Sequence, residues 1–121
     1  MNKINLLQFR GNNSSLFTGR PQGNDAREEL KLDEKDNTKD TYTFIIPKGT
    51  TSFNPSFYLG LLYKSIKKLG IEKFESKYKF EFEDKVNEEI IKVLKDNLED
   101  GRRNALNSMN KKNSFKKHFL K

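Results

Sequence analysis

The stretch Tyr42-Thr43-Phe44-Ile45-Ile46-Pro47-Lys48-Gly49-Thr50-Thr51-Ser52-Phe53-Asn54-Pro55-Ser56-Phe57 decides the fold. Its first five residues are β-branched or aromatic, and apolar on both faces towards the end, as a central strand should be. Pro47-Lys48-Gly49 stops that strand. Asn54 is an N-cap residue, and Pro55 occupies the first helical turn, where its missing amide would have no helical partner. Phe57, Tyr58, Leu61, Leu62, Ile66 and Leu69 follow at i, i+3/i+4 spacing and predict one apolar helix face. Lys67 and Lys68 complement the C-terminal end of the helix dipole. Gly70 predicts a left-handed cap, with Ile71 folding back onto Ile66.

Downstream, Lys77-Tyr78-Lys79-Phe80-Glu81-Phe82-Glu83 alternates strictly and predicts a strand with one solvated face, near a sheet edge. Val86, Ile90, Val93, Leu94, Leu98 and Ala105 mark a long amphipathic helix ending between Gly101 and Leu106. Upstream, Ile4–Phe9 reads as a short strand and Gly11–Ser15 as a loop. Leu16 and Phe17 are apolar anchors within a connection. Asn24 or Asp25 caps a helix running through Leu32, and Asp25-Ala26-Arg27-Glu28 is a relative of the capping box. Residues 33–40, almost wholly polar, predict a solvated loop. The resulting order β-α-β-α-β-α predicts a small α/β domain over residues 1–106, with a mostly parallel short sheet packed by helices. Residues 107–121 form a basic C-terminal tail.

The charge is divided near that boundary, after residue 100. The 121 residues carry a net charge of +7. All 17 acidic residues lie between Asp25 and Asp100, and the first 100 residues hold 17 basic ones. The excess comes from Arg102, Arg103, Lys111, Lys112, Lys116, Lys117 and Lys121, in a stretch without an acid. The absence of cysteine excludes disulfides, thiolate metal sites and cysteine catalysis. A single histidine, His118, excludes histidine triads and multi-histidine metal sites. Composition therefore argues against an enzyme, and no catalytic residue, metal or cofactor is expected. The longest apolar run, Phe57–Tyr63, falls far short of the ~20 residues a membrane span needs. Asn5, Gln8 and Arg10 interrupt the N-terminal segment before a signal-peptide core could form. A cytoplasmic protein without membrane contact is the expectation.

Three stretches are candidate sites. In the first, exposed amides and the positive dipole end near Thr51, Ser52, Asn54, Ser56 and Phe57 favour an anion, including a phosphate carried on Ser56. The alternative is that these polar residues only satisfy local backbone groups. In the second, Gly19, Arg20 and Gly23, with Arg27 beyond them, could grip a phosphate or carboxylate ahead of a helix. That segment lacks the Lys-Ser/Thr of a P-loop, and the alternative is a tight connection that requires glycine. In the third, Arg102, Arg103, Lys111, Lys112, Lys116 and Lys117, interleaved with Phe115 and Phe119, could pair phosphates and stack on single-stranded bases. The same tail could dock in a partner's groove, pack on its own domain or stay solvated. His118 is read as surface decoration. Glu81, Glu83 and Asp84, and Glu88 with Glu89, belong to a solvated strand face and a helix start rather than to acid/base or metal chemistry.

Over residues 4–106 the pattern resembles the bacterial STAS-like domains of unknown function. The resemblance rests on Gly19-Arg20-Pro21-Gln22-Gly23 with Asp25-Ala26-Arg27, on Thr51-Ser52-Phe53-Asn54-Pro55-Ser56-Phe57, and on Gly60-Leu61-Leu62. It continues through residues 66–82 (Ile66, Leu69-Gly70, Phe74, Tyr78, Phe80), which it matches to the family's next strand. More distantly, the chain is similar to the STAS anti-sigma-factor antagonists. There an Asp-Ser-Ser-Gly turn opens a helix, and a histidine-kinase-like ATPase phosphorylates the second Ser. Ser56 stands at that position, with Asn54 for the Asp, Pro55 for the first Ser and Phe57 for the Gly. The resemblance implies a non-catalytic signalling module that docks a protein partner of the ATPase kind, and occurrence among bacterial defence or mobile-element genes.

Overall fold

The computed structural model describes residues 2–11 and 14–119, with side chains through residue 110. The elements are β1 (Asn2–Asn5), β2 (Leu16–Phe17), α1 (Arg20–Glu29), α2 (Leu32–Lys35), β3 (Tyr42–Ile46), β4 (Ser52–Phe53), α3 (Pro55–Leu69), α4 (Ile71–Lys77), β5 (Tyr78–Phe82) and α5 (Glu88–Phe119). The chain is a small α/β domain. Its main sheet has the order β1-β3-β5 and is parallel throughout, and β2 and β4 form a separate two-stranded parallel ladder.

β3 takes the central place its composition predicts. Tyr42, Phe44 and Ile46 are buried while Thr43 and Ile45 are half-buried, so only one face is fully covered. On the helical side, Phe44 packs against Phe80 and Tyr78 with ring centroids 5.4 and 5.6 Å apart. On the other side, Lys3 reaches across the sheet to Glu81 at 3.2 Å. β5 lies at an edge with charges on its solvated side, as expected.

α1 and α3 cross at a pair of glycines. A Cβ built on Gly23 would lie 2.3 Å from the Phe57 carbonyl, and one on Gly60 2.3 Å from the Arg20 carbonyl. Only glycine permits this backbone approach. α5 packs against α3 and the core: Leu94 and Ala105 are buried, and Ile90, Leu98 and Met109 lie against the core cluster. Gly101 is where the Tyr58 ring presses in, 2.5 Å from any added Cβ.

Several boundaries differ from expectation. The first strand ends at Asn5, whose Oδ1 accepts the Leu7 N–H at 2.9 Å and turns Leu7–Phe9 into a single 3-10 turn. α1 begins at Arg20, because Gly19 (φ 80°) breaks the extended chain and Pro21 suits the first helical turn. Asp25 and Glu28 are therefore inside the helix and form no capping box. Residues 33–40 are not simply a solvated loop, since they contain α2 and the buried Asp36. Gly70 has φ 81° and ψ 155°, an extended conformation open to glycine rather than the left-handed helical one. It closes α3 through an N–H to the Ile66 carbonyl (2.8 Å) and opens α4, so of residues 66–82 only Tyr78–Phe82 are strand. α5 does not stop between Gly101 and Leu106 but continues to Phe119, across the 106/107 boundary; a packing glycine does not end a helix. Val86 lies before that helix and is exposed, and Val93 is turned outward on it.

Candidate functional site

The connection from β3 to α3 is fixed from many sides. Gly49 (φ 89°) makes the turn, and Thr50 closes it with its N–H (3.3 Å) and hydroxyl (2.7 Å) on the Pro47 carbonyl. Arg10 donates to the Lys48 carbonyl (3.2 Å) and to the Thr50 hydroxyl (2.9 Å), while the Lys48 N–H donates to Glu83 (2.7 Å). The Thr51 N–H reaches the Ser15 carbonyl (2.8 Å), and the two hydroxyls lie 2.9 Å apart. The Asn54 N–H reaches the Phe17 carbonyl (3.0 Å), and the Phe53 N–H is taken by the Asn97 side chain (2.8 Å). Beneath lie Phe17, Phe53 and Phe57, whose ring centroids are 5.0 to 5.2 Å apart.

This frame sorts the first set of candidate residues. Thr51, Asn54 and Ser56 are exposed and Ser52 is half-buried. Leu16, the register partner of Ser52, is also exposed. Asn54 caps α3 as expected, accepting the Ser56 N–H at 2.7 Å. Pro55 has no N–H and that of Ser56 is used by the cap, so neither of the first two helical positions offers an amide to an outside anion. Phe57 is fully buried in the aromatic cluster and cannot touch a partner; its apolar ring outweighs its place in the motif.

The second candidate set is dismantled. Gly19 and Arg20 start α1, and Arg20 lies over the Tyr63 ring, 5.6 Å from its centroid. Gly23 is buried at the helix crossing, so it serves packing and offers no amide to a ligand. Arg27 is drawn inside, to 5% exposure, by acids from α2 and the turn after it. Its guanidinium donates to Asp36 (2.8 Å), Asp33 (2.7 and 3.1 Å), the Ser65 hydroxyl (2.8 Å) and the Leu61 carbonyl (2.9 Å). Asp36, whose side chain is wholly buried, also accepts from the Ser65 hydroxyl (2.7 and 2.9 Å) and the Tyr78 hydroxyl (2.6 Å). Burial, and then the Asp36 carboxylate, push the Tyr78 phenol well above its ordinary range. The hydrogen bond from Arg27, and then its charge, hold Asp33 below the usual carboxylate range. With every nitrogen of Arg27 already donating, this cluster is an internal clamp rather than an anion site.

Of the third set, Arg102 is held by Glu75 on α4 (3.2 and 3.3 Å) and lies 3.8 Å from Glu99, and Arg103 pairs with Asp100 (3.3 Å). Both are paired with acids of the domain, although the Arg103 side chain stays 60% exposed. The side chains of Lys111, Lys112, Lys116, Lys117 and His118 lie outside the described residues. The acidic residues on and after β5 behave as solvated structure. Glu81 is lowered below its ordinary range chiefly by Lys3, and Asp84 by the Val86 and Asn87 N–H groups it accepts. Among the described residues no group of His, Cys, Asp and Glu is gathered that could hold a metal ion, and no helix is long and apolar enough to cross a membrane.

The chain matches no protein-family model, and neither a curated protein nor a solved structure is significantly similar to it.

Proposed function

We propose that this chain is a non-catalytic, STAS-like regulatory module that docks a protein partner, of the histidine-kinase-like ATPase kind, at the start of α3. One observation carries this reading. The β3–α3 connection is braced by bonds to its backbone from Arg10, Ser15, Phe17, Glu83 and Asn97. The Ser56 hydroxyl makes no hydrogen bond with other described residues, and Leu16 stands 41% exposed beside the same ladder. A rigid surface with an outward apolar side chain and an uncommitted hydroxyl needs little ordering on association, the condition for efficient docking. The domain's cytoplasmic location belongs to the same proposal.

The test is co-purification from the native host, followed by incubation with the captured ATPase and ATP. A complex that Leu16→Asp disrupts supports the docking surface, and one added phosphate that Ser56→Ala abolishes extends it to modification. Neither binding nor modification would remove the proposal.

A second reading, nucleic-acid or phage-conflict binding, has its own supporting observation. The entire charge excess lies in residues 102–121, and the two arginines there are paired internally. This reading therefore rests on residues 107–121. It requires steep loss of binding with salt and collapse on removal of that segment.

A further inference from the structure

β5 has an open edge, and its sequence is antisymmetric in charge about Phe80: Lys77-Tyr78-Lys79-Phe80-Glu81-Phe82-Glu83. The ladder fixes the direction of its main chain. The Glu83 N–H donates to the Ile46 carbonyl at 3.0 Å, so residues 79, 81 and 83 face β3. Tyr78, Phe80 and Phe82 then turn their peptide groups to the open edge. The Tyr78 N–H is spent on the Phe74 carbonyl. Among the described residues the N–H groups of Phe80 and Phe82 have no partner. Neither proline nor a bulge blunts this edge, as protected edges usually require.

We propose that β5 pairs antiparallel with β5 of a second copy, about a two-fold axis through Phe80, joining two three-stranded sheets into one. In that register the two Phe80 residues exchange main-chain hydrogen bonds, and each Phe82 N–H meets the Tyr78 carbonyl of the other copy. Lys79 of one copy faces Glu81 of the other, twice, in the closely spaced non-hydrogen-bonded pairs. The charges suit this role. Lys79 is exposed and has no acidic partner among the described residues. Glu81 holds Lys3 and Lys85 (3.2 and 3.5 Å) and retains lone pairs for another donor. Lys77 and Glu83 add nothing to the pairing. The Lys77 ammonium is turned inward to the Thr38 and Asp40 carbonyls, and Glu83 accepts the Lys48 N–H. On the helical face, a cavity of about 280 Å3 adjoins Phe80, with Phe74 and Leu98 on its walls and Arg102, Glu75 and Glu99 around it. The proposed pairing would bring the second Phe80 ring to this same face of the sheet. Parallel pairing would set Lys79 against Lys79, so the charge pattern selects a two-fold copy.

Sedimentation of the full chain over a range of concentrations tests this. The wild type is expected to associate as a dimer, Lys79→Gln to weaken it, and Lys79→Glu to weaken it about tenfold or more, by placing like charges opposite one another. An equimolar mixture of Lys79→Glu with Glu81→Lys is expected to restore the association that each weakens alone, with melting curves confirming that both are folded. A wild type that is monomeric at every concentration, or a dimer indifferent to Lys79→Glu, overturns the proposal. If Glu81→Lys fails to fold, the graded order wild type, Lys79→Gln, Lys79→Glu decides.

Discussion

Gly19–Arg27 and Thr51–Phe57 are two glycine- or hydroxyl-rich stretches that open helices, and the fold treats them in opposite ways. In the first, Gly23 brings α1 so close to α3 that Arg27, one turn further on, points into the domain and meets Asp36. In the second, the aromatic side chains go inward, and Thr51, Asn54 and Ser56 stay out. The difference lies in what each backbone must pack against. A glycine crossing draws neighbouring side chains inward whatever their charge, provided that partners await them. A short ladder lying over an aromatic cluster can leave its polar residues at the surface.

The largest expected effect tests the inward region. Arg27→Met removes the guanidinium from a carboxylate with no exposure and should cost about 3–5 kcal/mol, the range for breaking a buried ion pair. Urea unfolding measures it, and adding Asp36→Leu should recover a large part. A loss below about 1 kcal/mol would show that the clamp is less coupled than its geometry indicates.

Gly60→Ala comes next. Its Cβ would meet main-chain atoms at 2.3 and 2.8 Å, which no rotamer change relieves. The helices must part, at about 1–3 kcal/mol or more. Tyr78→Phe follows at about 1–2 kcal/mol, since Asp36 keeps its Arg27 and Ser65 donors. The phenols of Tyr58 and Tyr78 are both raised by burial. Unfolded tyrosines ionise near pH 10 while the folded ones keep their protons. The unfolded state then binds fewer protons, so stability should hold below about pH 10 and fall as pH rises further. Tyr78→Phe should make that alkaline fall shallower in denaturant titrations at stepped pH.

Much of the outward region was legible in the sequence, because local chemistry governs it. The β-branched run of β3, the Asn54-Pro55 helix start and the i, i+3/i+4 face of α3 each carry their own signal. The inward region was not, because its decisive contacts join residues far apart in the chain. Asp36 sits in Asp33-Glu34-Lys35-Asp36-Asn37-Thr38-Lys39-Asp40, whose composition describes a solvated loop. Only the fold brings Arg27, Ser65 and Tyr78 to it. The spacing of Asp33 and Asp36, one helical turn apart on one side, was the available hint. Gly101 misled for a similar reason, since a glycine taken as a helix end is a seat for the Tyr58 ring.

The smallest effect on stability separates docking from folding most cleanly. Ser56 follows Pro55 in the first turn of α3, where a carboxylate complements the helix dipole. Ser56→Glu should therefore leave stability unchanged or raise it by about 0.3–1 kcal/mol, measured by thermal melting. The same change places charge and bulk on the proposed docking surface and should weaken partner capture while Ser56→Ala does not. Arg27→Met should do the reverse, lowering stability without altering the affinity of the protein that remains folded. If Ser56→Glu left capture intact while Leu16→Asp abolished it, the contact would centre on the β2–β4 ladder rather than the helix start. If neither mattered, the braced connection would be scaffolding like its counterpart at Arg27, and the comparison between the two regions would fail at its outward half.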